Sequence, residues 1–154
     1  MHKFCEPKEM SDDDLLTSLE VLAVSEKRLG ASIVVHLAMV ETRQLHLALG
    51  HSSLYAYAIK QLGFSEDVAY KRIKAARAVR SCPEIVGHLE SGQLSLSSVL
   101  VLAPHLDQTA SAELVSGACG KSRREVERLV AELFPETNRP RGGTRSEMAG
   151  AAAL

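Results

Sequence analysis

Tryptophan is missing from this chain, and aromatic residues of any kind make up only 4% of its 154 residues. Platforms that bind single-stranded nucleic acid stack bases on aromatic rings, so this composition speaks against them. Cysteine is also scarce. Cys5, Cys82 and Cys119 are odd in number, far apart and without a CxxC pair. That pattern argues against a zinc ribbon, a redox motif or a disulfide framework and leaves incidental or buried thiols in a reducing cytosol. Long apolar runs are lacking too. The most apolar stretch, Ala31 to Val40, is too short to span a bilayer and runs straight into Glu41 and Arg43. Met1 to Asp14 is polar and acidic, unlike a signal peptide. A cytoplasmic protein with no membrane partner is the expectation. No GxSxG, P-loop, GxGxxG or HExxH motif occurs. The reading therefore contains no catalytic residue, cofactor, metal or small-molecule substrate.

What is present is a globular balance, 45% apolar and 24% charged, with strong helical periodicity. Ser11 ahead of Asp12, Asp13 and Asp14 reads as an N-cap followed by dipole-compensating acids. Leu15, Leu16, Leu19, Leu22 and Ala23 form the stripe behind it. A break at Gly30 predicts a second helix over Ala31–Leu49, ended by Gly50 and paired with the first as an antiparallel hairpin. On that second helix His36 and Arg43, with His46 nearby, read as solvated side chains in preference to a metal site. Ser52 or Ser53 caps a short helix to Leu62, and Ser65 caps a longer one from Glu66 to about Arg80, stopped before Pro83. Shorter helices are expected over Pro83–Glu90, Leu94–Leu102 and Thr109–Ala118. Ser122 and Glu125 fit a capping box that opens a last helix to Phe134. The expected fold is all-α: a compact multi-helix bundle over residues 11–135, with a flexible N-terminus over 1–10 and a disordered tail over 136–154.

Tyr55–Leu62, the Gly63-Phe64-Ser65 turn and Glu66–Arg80 have the layout of a helix-turn-helix, at about residues 52–80. On the second of these helices Val68, Ala69, Ile73, Ala76 and Val79 share an apolar side, while Tyr70, Lys71, Lys74 and Arg77 lie opposite. Residues 60–80 carry a net +4, whereas the first 26 residues carry −5, so the overall charge of −1 conceals a strong polarity. Candidate DNA-contacting residues are Tyr70, Lys71, Lys74, Arg77 and Arg80. A merely solvated face is the competing reading, and Glu66 and Asp67 at the helix start would repel phosphate. Arg72 falls in the apolar sector, where it is expected to pair with a carboxylate inside the bundle. A second basic spot comprises Lys121, Arg123, Arg124 and Arg128. There Glu125, Glu127 and Glu132 interleave and also suit helix-surface ion pairs.

The blocks Arg43–Tyr57, Leu62–Glu66, Ala69–Ile73, Ala75–Arg77, Gly92–Leu96, Leu102–Leu106, Gly120–Ser122 and Arg124–Glu127 resemble, in order, the helical N-terminal region of bacterial HNH endonuclease-type proteins. The likeness covers roughly Leu15 to Pro135. The stretch from Gly63 through Pro83 to Leu96 is more loosely similar to the helix-turn-helix region of ParB-like partition proteins. Both resemblances imply double-stranded DNA as partner. In the HNH proteins the helical region precedes a nuclease module whose histidines and asparagine hold a divalent metal. This chain has no histidine after His105, and its sole asparagine is Asn138. The resemblance therefore implies a DNA-binding domain that does not cut DNA as encoded. The alternatives are a protein-interaction or homodimerisation module built on the apolar second helix and acidic N-terminus, and the remnant or separate subunit of a truncated HNH nuclease.

Overall fold

The computed structural model describes residues 6–107 and 111–135. Among them are eight α-helices: α1 Asp12–Thr42, α2 Leu45–Ala48, α3 Leu54–Lys60, α4 Glu66–Ser81, α5 Ile85–Ser91, α6 Leu96–Leu102, α7 Ser111–Ala118 and α8 Arg123–Leu133. Two 3-10 turns, Pro7–Glu9 and Ala103–His105, complete the list, and the described residues contain no strand. The all-α bundle expected from the periodicity is what forms. The tail expected over 136–154 lies outside the described residues.

The helix starts follow the serines. The hydroxyls of Ser11, Ser53, Ser65, Ser95 and Ser122 each accept from the backbone N–H three residues on, satisfying donors that the first helical turn leaves free. At Ser122 the box closes, with the Glu125 carboxylate accepting from the Ser122 N–H at 2.7 Å. Gly63 and Gly92 take φ of +70° and +77° where helices end, a conformation that costs an L side chain dearly.

The first helical region departs from expectation. In place of a hairpin broken at Gly30, α1 runs unbroken for 31 residues with Gly30 in its interior. One internal glycine costs a helix only about 1 kcal/mol. The stripe Ala31, Val34, Leu37 and Ala38, buried in the core, more than offsets that. The chain turns later, at Gln44, which takes a left-handed φ of +53°, and α2 is a single turn. α6 ends at Leu102, as expected, and Pro104 sits in the 3-10 turn that follows it.

The core gathers the C-terminal half of α1, α4 and α6 around Val34, Ile73, Ile85, Val99, Leu102, Val115 and Val126. α4 supplies a run of small side chains, with Ala69, Ala75, Ala76 and Ala78 all buried. Small residues there let α1 lie close along one side of α4 and α6 along another. Val68, expected inside, stays partly exposed at the rim.

Candidate nucleic-acid interface

α3, the Gln61–Ser65 turn and α4 form the helix-turn-helix layout read from the sequence, with the turn tightened by Gly63. Phe64 folds back from the turn and places its ring 4.6 Å from the Arg72 guanidinium. This corrects the partner expected for Arg72: an aromatic face satisfies the cation in the apolar sector, where a carboxylate was anticipated. Arg72 thus belongs to the scaffold behind the basic face.

On the outer side of α4, Tyr70, Lys74, Arg77 and Arg80 are exposed and Lys71 is partly so. The Lys74 ammonium lies 5.7 Å over the Tyr70 ring and takes part in none of the ion pairs among the described residues. Tyr70, Lys74 and Arg77 line one wall of an open cleft of about 380 Å³, and Leu100, Pro104 and Asp107 line the other. A planar or extended polar chain can reach the cations there from solvent.

The remaining cations of this face are engaged. Lys71 pairs with Asp67 one turn back at 2.8 Å. Arg77 grips Glu41 of α1 through two nitrogens, Nη2 at 2.8 Å and Nε at 3.1 Å from Oε1, and Arg80 approaches the other carboxylate oxygen at 3.5 Å. Glu41 is the most enclosed member, with 19% of its side chain exposed against 53% and 50% for the two arginines. The Arg77 hydrogen bonds hold the Glu41 carboxyl below its ordinary pKa, against the opposing effect of partial burial, and Arg80 and His46 add to the lowering. The same contact raises Arg77 above its usual value. Pattern reading missed this carboxylate because it lies 36 residues from Arg77 in sequence.

The second spot has the opposite character. Lys121, Arg123, Arg124 and Arg128 are all exposed around the start of α8. Arg123 pairs with Glu127 at 2.9 Å, while Lys121, Arg124 and Arg128 take part in no ion pair among the described residues. Glu125 is exposed and turns back onto its own helix start, and the bond from the Ser122 backbone lowers its pKa. The interleaved acids expected to neutralise this spot are therefore only partly available to do so.

The histidines divide. His36 is exposed and donates from Nδ1 to the Ser32 carbonyl at 2.7 Å, but His46 is buried with its Nδ1 unpartnered, contrary to a solvated role. No group of three or more metal-ligating side chains comes together among the described residues. Cys82 is buried and free, and Cys119 is free beside His88 at 3.3 Å, its thiol pKa pushed up by burial. Cys5 lies outside the described residues. No described helix is long and apolar enough to cross a membrane.

No family model matches the chain, and no curated protein or solved structure is significantly similar to it. The likeness to HNH endonuclease-type and ParB-like proteins thus rests on the residue blocks quoted above, and what it implies is carried forward as a proposal.

Proposed function

We propose that this chain is a DNA-binding helical domain, related to the region that precedes the nuclease module in HNH endonuclease-type proteins and assigned no catalytic residue of its own. The observation that carries this reading is the solvent-facing row on α4, in which Tyr70, Lys74, Arg77 and Arg80 lie along one side of the second helix of a helix-turn-helix. In this reading Lys74, Arg77, Arg80 and Lys71 contact phosphates and Tyr70 packs on the sugar-phosphate backbone or a base edge. Phosphate contacts fix register and supply affinity without reading sequence. Lys121, Arg124 and Arg128 form a second phosphate-contacting patch.

Four full phosphate contacts would give log K against log[salt] a slope of about −3.6, at ~0.9 per phosphate. The carboxylates on Lys71, Arg77 and Arg80 make the contribution of α4 shallower, because a phosphate must first displace Glu41 or Asp67. Fluorescence anisotropy with a labelled duplex at two salt concentrations measures the slope. Replacing Lys74 and Arg77 with Ala is expected to weaken binding on every duplex sequence and to flatten the slope. Unchanged affinity would remove α4 as the DNA-contacting face.

A further inference from the structure

Two further cations meet on the side of α4 turned away from the basic row. A cleft of about 370 Å³ lies between α1 and the turn from α5 to α6, and both Lys27 of α1 and Arg72 of α4 line it. Lys27 crosses directly over Gly92: a Cβ on that residue would stand 2.8 Å from Nζ and 3.0 Å from Cδ. Glycine therefore serves twice there, taking the left-handed φ that ends α5 and leaving room for the lysine. Arg72 is only partly exposed, and its guanidinium rests 4.6 Å from the Phe64 ring. A π-face attracts the charge but takes up few of the guanidinium N–H donors, which are left for an oxygen ligand. Neither cation is in an ion pair among the described residues, although Glu26 lines the same cleft.

We infer that this cleft is a binding site for a small organic carboxylate, its head on Arg72 and Lys27 and its apolar body on Leu89, Leu94 and Leu96. The chemistry of the walls selects that class. A guanidinium offers two parallel N–H bonds to a carboxylate, and the ammonium adds a point charge. Lys27 and Arg72 against Glu26 leave one net positive charge, which a monoanion matches. A phosphate monoester, at about −1.5 to −2 near neutral pH, overshoots it. Leu89 and Leu94 are buried and Leu96 partly so, which gives the body of the ligand an apolar floor. The volume falls at the small end of the ~300–1,000 Å³ typical of small-molecule sites.

Each phosphate of a DNA backbone is a monoanion too, but position argues against it here. Arg72 lies roughly 140–200° around α4 from Tyr70, Lys74 and Arg77, at about 100° per residue. A duplex seated on that row leaves the cleft facing the other way, so this site stands apart from the proposed DNA surface.

Titration of the full chain with sodium hexanoate, followed by amide NMR, tests this. The shifts should concentrate at Gly30, Gly92 and Ser95 of the cleft. A dissociation constant of roughly 1 mM is within reach of a ligand of about eight heavy atoms. Arg72→Gln should weaken binding by about tenfold or more, and Lys27→Gln by about fivefold. Lys27 is exposed, so its variant still reports on the cleft if loss of the Phe64 contact unsettles the bundle in Arg72→Gln. Glu26→Gln should tighten binding by about threefold. Hexanol, the same body without the head, should bind about tenfold more weakly than hexanoate. Shifts that collect along the exposed Leu16–Leu22 stretch, equal affinity for hexanol, or wild-type binding by Lys27→Gln would overturn the site. Inorganic phosphate binding more tightly than hexanoate would overturn the choice of a carboxylate. A DNA duplex is expected to leave hexanoate in place; a duplex that displaces it would overturn the small-molecule assignment while leaving the DNA proposal standing.

Discussion

α4 and α8 carry similar cations under similar caps, yet they present them in different electrostatic states. On α4 Lys71, Arg77 and Arg80 already hold carboxylates, two of them sharing Glu41 across the interface with α1. On α8 and the turn before it, Arg123 alone is so held among the described residues. The difference has a structural origin. α4 runs through the middle of the bundle, so its flanks meet other helices, and Glu41 of α1 lies within reach of its last turns. α8 contributes one buried residue, Val126, and most of its polar side chains face only solvent. A basic run near the core can be partly spent on its own fold, whereas one at the periphery stays available for an external anion.

The largest expected effect separates the two faces by their salt dependence. Lys121→Ala, Arg124→Ala and Arg128→Ala together should flatten the slope of log K against log[salt] by up to about 2.7, at ~0.9 per cation whose phosphate contact is lost. Arg77→Ala with Arg80→Ala should flatten it by clearly less than about 1.8, because each phosphate contact there leaves Glu41 to recruit a cation of its own. Anisotropy titrations of both variants over the same salt range make the comparison. A steeper loss from the α4 pair than its two cations allow, or no loss from α8, would reverse the ranking.

A smaller effect comes from neutralising the shared carboxylate. Glu41→Gln releases Arg77 and Arg80, and DNA affinity at low salt should rise by about tenfold, equivalent to ~1.4 kcal/mol. The same change should lower stability in urea by about 0.5–1 kcal/mol, a figure held down by the solvent around both arginines. Equal or weaker DNA binding by Glu41→Gln would mean that Glu41 positions the arginines for phosphate instead of competing with it.

Local signals made much of this architecture legible. A serine hydroxyl capping the N–H three residues on and a glycine ending a helix act within one turn, so Ser53, Ser65, Ser122, Gly63 and Gly92 declare themselves in the sequence. Gly30 misleads for the same reason: its local cost points to a break, and only the buried stripe Ala31 to Ala38 keeps α1 continuous. The outer row of α4 follows from the 3.6-residue period, but its state of charge does not. Lys71 with Asp67 is an i,i+4 pair that spacing announces, whereas Arg77 with Glu41 depends on how α1 packs on α4. The burial of His46 depends likewise on where the chain turns after α1.

The smallest expected effect is a pH dependence that isolates Glu41 from every other carboxylate. Its pKa in the folded chain lies below the ordinary 4.5, chiefly because Arg77 donates to the charged form. A group whose folded pKa is depressed contributes stability that is fully present above its unfolded value and is lost as pH falls through the folded one. The stability advantage of the wild-type chain over Glu41→Gln should therefore be constant near neutrality and shrink below about pH 4.5. The binding difference should close over the same range, since a protonated Glu41 no longer competes for Arg77 and Arg80. Groups remote from Glu41 are common to both proteins and cancel in the subtraction, which is why the difference, and not either curve alone, is the quantity to follow. Urea midpoints and anisotropy at pH 7, 5, 4 and 3.5 would trace it. A gap that persists unchanged to the lowest pH would detach the effect of Glu41 from its charge and assign it to packing between α1 and α4.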